Sequence, residues 1–330
     1  MTDLSIVIAS YNTREMTAAC LDALIERTAG IEVEIIVVDN ASSDGSAAFI
    51  AGRFPQVSVI HNDCNVGFAP AQNIGMLRSH GRFVAALNSD CIVVGNALKT
   101  LTDFLDADPR AGAVGPQILN ADGSVAPSAR RALMSRPMVL IGIINRHFRF
   151  KRLLPERAMR RMAGGLLSRW HDNYADHSAM RESEVVDGMC VVFRRSALEQ
   201  VGLFDEQFFF DLEINDLSNR LRAGGWRVVF NPDAKVTHLA HSSRKKVSRI
   251  VVETHRSELT YYAKYAPHYL PAVRRTTRFV VGTRLALARI LGASKETIDI
   301  YREILAVVDA FDPRAAREEP RIPALQELPT

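Results

Sequence analysis

Through the first hundred or so residues, short runs of β-branched and other apolar side chains alternate with stretches whose apolar positions recur every three or four residues. That rhythm predicts strand–helix–strand units on a mostly parallel sheet flanked by helices, an α/β fold of Rossmann-like type. LSIVIAS (4–10) reads as the first strand, and the helix after it, over about 15–27, gathers Met16, Cys20, Leu21, Leu24 and Ile25 on one side. VEIIVVD (33–39) is the second strand, with Ser42 or Ser43 placed to cap a helix ending near Phe54 and Pro55. VSVIH (57–61), a helix over 69–80, FVAALN (83–88), a helix over 97–106 and AGAVGPQIL (111–119) continue the pattern.

A turn signal at Ala121-Asp122-Gly123-Ser124 ends the rhythm. The segment beyond it, about 128–175, has no strand pattern and reads as a helical or partly mobile insertion. Between Arg130 and Arg169 it carries ten arginines against the single acid Glu156, a local positive field that calls for an anionic neighbour. Regular patterning returns with VVDGMCVVFRR (185–195), a helix over SALEQVG, an acidic run from Phe204, and a last strand, WRVVF (226–230). The expected division is a catalytic domain over 1–245, a helical C-terminal extension over 246–317, and a tail over 318–330 whose proline and charge predict disorder.

Composition narrows the class only modestly. With 330 residues, 47% hydrophobic, 24% charged and a formal net charge of +4, the chain reads as an ordinary globular protein. Cys20, Cys64, Cys91 and Cys190 stand far apart with no zinc-like spacing, as expected of thiols in a reducing compartment. No basic-then-apolar leader opens the chain, and the apolar runs 138–144 and 279–291 fall short of the roughly 20 apolar residues of a membrane span. The expected location is the cytoplasm. The arginine-rich amphipathic stretches 130–169 and 273–291 predict peripheral contact with the inner face of the plasma membrane, a homo-oligomer interface or plain surface being the competing readings. Nucleic acid is not an expected partner, because the arginines come without a recognition fold or a stacking platform.

The chemistry concentrates where apolar runs stop. FVAALN runs straight into Asn88, Ser89 and Asp90, and the mouth of a buried strand is where an α/β sheet places ligands. A carboxylate there can hold Mg²⁺ or Mn²⁺ against the phosphates of a nucleotide sugar, with His238 of VTH as a further ligand; a cap or turn is the plainer role for Asp90. Asp211, Glu213 and Asp216 crowd one segment, close enough for mutual repulsion to raise a pKa and furnish a base. An acidic first helical turn complementing the helix dipole explains the same residues without catalysis.

Taken together, LSIVIASYN, IIVVDNASSDGS, NVGFAPAQNIGM, ALNSD, VDGMCVVFRRSALEQVGLFDEQFFF and the acidic helix followed by AGGW and VTH resemble family 2 glycosyltransferases, in particular their rhamnosyltransferase-like branch, over about residues 4–245. The resemblance implies a GT-A fold, a divalent metal, a dTDP- or UDP-linked sugar donor with dTDP-rhamnose the best guess, and inverting transfer to a glycan or lipid-linked acceptor for cell-surface polysaccharide. By position in the family pattern, Ser10, Tyr11 and Asn12 would line the nucleotide pocket, and Asp39 would bind the pyrimidine. Asn65, Gly67 and Asn73 would lie along the donor, and Asn88, Ser89 and Asp90 would occupy the Asp-x-Asp position. Gly188 would face the acceptor. Where the family usually reads Glu-Asp-x-Asp-Leu, this chain reads Glu213-Ile214-Asn215-Asp216-Leu217, so the base is ranked Glu213, then Asp211, then Asp216. A catalytically silent nucleotide- or glycan-binding relative is the alternative. A nucleotidyltransferase is disfavoured by the lack of a basic glycine-rich loop for a triphosphate.

Overall fold

The computed structural model describes residues 2–126, 178–239, 248–318 and 320–325; the basic insertion expected at 128–175 lies outside them. β1 (Leu4–Ser10), β2 (Val33–Asp39), β3 (Ser58–His61) and β4 (Phe83–Asn88) are parallel neighbours in the order β3-β2-β1-β4. β1 and β4 are buried almost end to end, which is why they read as unbroken apolar runs and not as alternating ones. Between the strands run α1 (Arg14–Arg27), α2 (Ser46–Arg53) and α3 (Phe68–Leu77). Gly45, in the left-handed region at φ 78°, precedes α2, and Asp44 accepts from the backbone N–H of Ser46 at 3.0 Å. Ser42 and Ser43 therefore do not cap that helix; both bond to Asn12 instead.

After β4 the chain turns through Ser89 and Asp90 into β5 (Cys91–Val94), then α4 (Ala97–Ala107) and β6 (Ala111–Asn120). α4 buries Leu98, Leu101, Thr102 and Leu105 at helical spacing and stops before Pro109, as the residue preceding a proline avoids helical backbone. Past the turn come β7 (Arg181–Glu182), β8 (Cys190–Arg194), α5 (Arg195–Val201), α6 (Glu213–Ala223) and β9 (Arg227–His238). β8 enters between β4 and β6, antiparallel to both, and β9 lies parallel to β6 and antiparallel to β5 and β7. The sheet is thus parallel in its first half and mixed in its second. A strand reached by a long connection is not bound to the parallel direction that a short helical crossover imposes. The strand expected over 185–195 shortens to β8, and the one expected over 226–230 extends to His238 because β6 and β5 flank it in turn.

Among the described residues four more α-helices follow: α7 (Ser248–Tyr265), α8 (Leu270–Ile290), α9 (Lys295–Ala310) and α10 (Ala315–Glu318). They enclose a second apolar cluster that includes Leu259, Tyr262, Val281, Ile304 and Val308, and into it reach Phe208 and Leu212 from the loop before α6. The helical extension is therefore built onto the segment that carries the candidate acids. Residues 320–325 depart from the disorder expected beyond 318. The backbone of Arg321 bonds Asp205 and Glu206, that of Pro323 accepts from Leu203 at 3.1 Å, and Leu325 packs on the main core.

Candidate functional site

From β1 the parallel strands run outward in both directions, to β2 on one side and β4 on the other. The carboxyl ends of β1 and β4 consequently border a crevice, the usual ligand position in such sheets. Hydroxyls tie its rim together: Ser10 Oγ lies 3.0 Å from Thr13 Oγ1, which lies 3.0 Å from Ser89 Oγ. Tyr11 is 46% exposed at the rim. Asn12, held at φ 54°, accepts from the N–H of Ser43 at 2.8 Å and so joins the ends of β1 and β2. Asp39 is buried; its Oδ2 accepts from the N–H of Ser42 at 3.0 Å and meets His61 Nδ1 at 2.9 Å. Its other oxygen, Oδ1, is buried with no hydrogen-bond partner, an acceptor poised for a ligand N–H.

Asp90 is positioned by both strands beyond the turn. The N–H of Asn88 donates to the carbonyl of Met189, and the carbonyl of Asp90 accepts from Leu239 at 3.0 Å. Antiparallel pairing sets Cys91 opposite His238, and this register brings His238 Nε2 to 3.0 Å from Asp90 Oδ2. One carboxylate oxygen and one imidazole nitrogen side by side are a donor set that fits Mn²⁺, and two protein ligands leave room for phosphate oxygens and water. Among the described residues no group of three or more His, Cys, Asp or Glu could form a complete cage. Behind the turn the thiols are buried; burial first, and neighbouring acid and thiol groups second, push Cys20 and Cys91 well up and Cys190 to about 12.

The acids of the second half meet this turn through Gly188. Asp211 and Leu212 adopt consecutive left-handed conformations, at φ 72° and 70°. Such backbone is costly for non-glycine residues and persists only where packing enforces it. Leu212 is buried in the second apolar cluster, and the Asp211 carboxylate accepts from the N–H of Leu212 at 3.0 Å. That kink delivers Glu213, 7% exposed, as the first residue of α6. A Cβ on Gly188 would lie 3.9 Å from Glu213 Oε1 and 3.3 Å from Ile214, so a small residue at this position is what lets the helix start approach. Met189, next in the chain, bonds Asn88 and the thiol of Cys91, so the Glu213 end of α6 and the Asp90 turn share one wall. At the other edge Gly67, held at φ 100°, sits where a Cβ would be 2.6 Å from the carbonyl of Phe209. Asn65 accepts from the Gly67 N–H at 3.0 Å and shapes that approach.

Two expected site residues act elsewhere. Asn73 is fully buried on α3, with its amide donating to the carbonyl of Phe204 at 2.9 Å and accepting from the N–H of Phe204 at 3.0 Å. Its amide also donates to Glu206 at 3.1 Å, so both N–H groups are spent and Asn73 staples α3 to the loop before α6. Asp216 is also fully buried. Arg220 Nε contacts it at 2.8 Å, the Tyr265 hydroxyl donates to it at 2.7 Å, and Lys264 bridges it to the equally buried Asp205. Burial pushes its carboxyl up, but Arg220 and Lys264 outweigh that and hold it below the ordinary range. The repulsion expected to raise a pKa in this trio does not do so at Asp216, which anchors α6 to α7.

Pattern reading passed over Thr13, His61 and Met189, which shape the rim by contact. His61 had a signal: as the last residue of β3 it stands level with Asp39 in parallel register. Lys264 and Tyr265 had none, being 48 and 49 residues from the carboxylate they hold.

The parallel order β3-β2-β1-β4, with β8 inserted antiparallel between β4 and β6, is that of a GT-A fold. The chain belongs to glycosyl transferase family 2, whose profile matches residues 5–202. It is similar to the N-acetylglucosaminyl-diphospho-decaprenol L-rhamnosyltransferase of Mycobacterium tuberculosis, 30% identical over 292 residues that cover 80% of this chain and 85% of the relative. The succinoglycan biosynthesis protein ExoO of Rhizobium meliloti is 32% identical over 117 residues, covering 35% of this chain and 32% of that protein. Among solved structures, that of GalNAc-T7 with UDP, GalNAc and Mn²⁺ aligns with a TM-score of 0.54 at 17% identity, over 80% of this chain and 50% of the other. That likeness concerns the fold.

Proposed function

We propose that the protein transfers rhamnose from dTDP-rhamnose, with inversion, to a hydroxyl of a lipid-linked glycan at the cytoplasmic face of the membrane, in building a cell-surface polysaccharide. The observation that carries the reading is the Asp90–His238 pair, 3.0 Å apart at the mouth of β4, on the wall it shares with Glu213. The donor class and the acceptor are supported by the name of the mycobacterial relative. Asp39 Oδ1, buried and unpartnered, accepts the N3–H of the pyrimidine, while Tyr11 lies along the base. Asp90 and His238 would hold Mg²⁺ or Mn²⁺, which supplies Lewis-acid neutralisation of the departing diphosphate. Glu213 takes the proton of the acceptor hydroxyl as its oxygen bonds the anomeric carbon and the carbon–phosphate oxygen bond breaks, the nucleoside diphosphate leaving with the electron pair. Gly188 leaves space for the acceptor beside that carboxylate.

A thermal-shift screen of dTDP-rhamnose, UDP-sugars and GDP-sugars, each with and without Mn²⁺, tests this. A donor at a hundredfold excess over its Kd adds about 2.7 kcal/mol, about 4 °C for a chain of this length. The expected outcome is a shift by dTDP-rhamnose that needs Mn²⁺ and disappears in Asp90→Ala. No shift by any nucleotide sugar, or an undiminished one in Asp90→Ala, overturns the reading.

A further inference from the structure

α8 is apolar on two sides. One side, including Leu270, Val273, Val281 and Ala288, is buried, and the helix packs against α9 and α7. The other side faces solvent: Phe279, Leu287 and Ile290 recur at i, i+8 and i+11, along one stripe, and Leu291 follows at the helix end. Their exposures are 73%, 46%, 79% and 78%, and no other large apolar side chain among the described residues exceeds 46%. Between them on that stripe stand Gly282 and Ala286, where a Cβ at Gly282 would meet nothing. An apolar stripe of this extent left in water marks a surface that something covers.

Charge decides what covers it. α8 carries five arginines and no acidic residue. Arg278 pairs with Asp309 of α9 and Arg284 lies over the ring of Tyr301, whereas Arg275, one turn before Phe279, and Arg289, beside Ile290, are exposed. A second copy seated on the stripe by twofold symmetry would bring two arginine-bearing helices together with no acid on either to offset them. A surface of anionic lipid complements both features, since the apolar stripe enters the acyl boundary while the guanidinium groups meet phosphates. We infer that α8 is a membrane-docking helix lying in the plane of an anionic bilayer surface. It does not span the bilayer; no helix among the described residues is long and apolar enough to do so. α7, on which α8 packs, donates from Ser257 Oγ to the carbonyl of Phe210 at 2.9 Å and holds Asp216 through Lys264. Docking by α8 therefore tethers, through α7, the segment that carries Glu213.

The test is co-sedimentation of the purified full chain with vesicles of phosphatidylcholine alone or with added phosphatidylglycerol, without any donor, so it stands or falls separately from the transferase reading. The wild type is expected to pellet with anionic vesicles at low salt and to be released at high salt. Phe279→Ser with Ile290→Ser lowers partitioning at least about tenfold, and Arg275→Glu with Arg289→Glu about thirtyfold or more, from the contribution of each basic side chain at an anionic surface. Unchanged thermal unfolding of both exposed double variants controls for folding. Wild-type protein left in the supernatant, or variants that pellet as the wild type does, overturns the inference. So does a dimer in light scattering that the Phe279/Ile290 variant dissociates while vesicle binding is untouched.

Discussion

Substituting asparagine for Asp216 separates an anchoring carboxylate from a proton-accepting one. The side chain is fully buried and bonded to Arg220, Lys264 and Tyr265. The variant keeps the shape but takes from Arg220 its carboxylate and leaves Lys264, partly buried, with Asp205 alone, a change that costs up to about 3–5 kcal/mol. With about 2.1 cal/mol/K of unfolding entropy per residue, a chain of this length loses up to about 4–7 °C in Tm. Because the folded carboxyl is held below its ordinary pKa, its contribution is complete above about pH 3.9 and drains away as the pH falls below that, toward the folded value. Calorimetry from pH 6 down to pH 2 is therefore expected to show a steeper acid decline in the wild type than in Asp216→Asn. Sugar transfer per folded molecule at 20 °C should fall much less than in Glu213→Gln. If Asp216→Asn melts like the wild type at every pH yet transfers a thousandfold more slowly, the carboxylate is the base and the anchoring argument fails.

Glu213→Gln is expected to lower kcat by about 10²- to 10⁴-fold with donor affinity and Tm unchanged; a loss under tenfold in a purified transfer assay moves the role to Asp211. Asn73→Ala leaves the buried N–H and carbonyl of Phe204 without partners, costing about 1–3 kcal/mol by denaturant unfolding while donor KM stays put. A raised donor KM would return Asn73 to the nucleotide pocket. Gly67→Ala drives a Cβ into the carbonyl of Phe209 at a left-handed position, for about 1–3 kcal/mol; a Tm equal to the wild type's would show that the loop before α6 yields freely there.

The amino-acid sequence by itself determined the elements and their mouths. Apolar runs that bury in a sheet must end where polar side chains can meet solvent or ligand, so Ser10, Asp39 and Asp90 were legible as strand ends, and the order of the motifs identified the family. Gly67 and Gly188 were legible as places of close approach without any view of what approached. Tertiary structure alone decided which polar residues face the crevice. Glu213 and Asp216 are three apart on one helix, yet Glu213 lies against Gly188 while Asp216 is enclosed by Lys264, Tyr265 and Arg220. His238 reached Asp90 only through the pairing of β5 with β9. The reason is that helical or strand period states which neighbours share a face, whereas the role of a carboxylate depends on the charges and donors packed against it, and those arrive from distant parts of the chain.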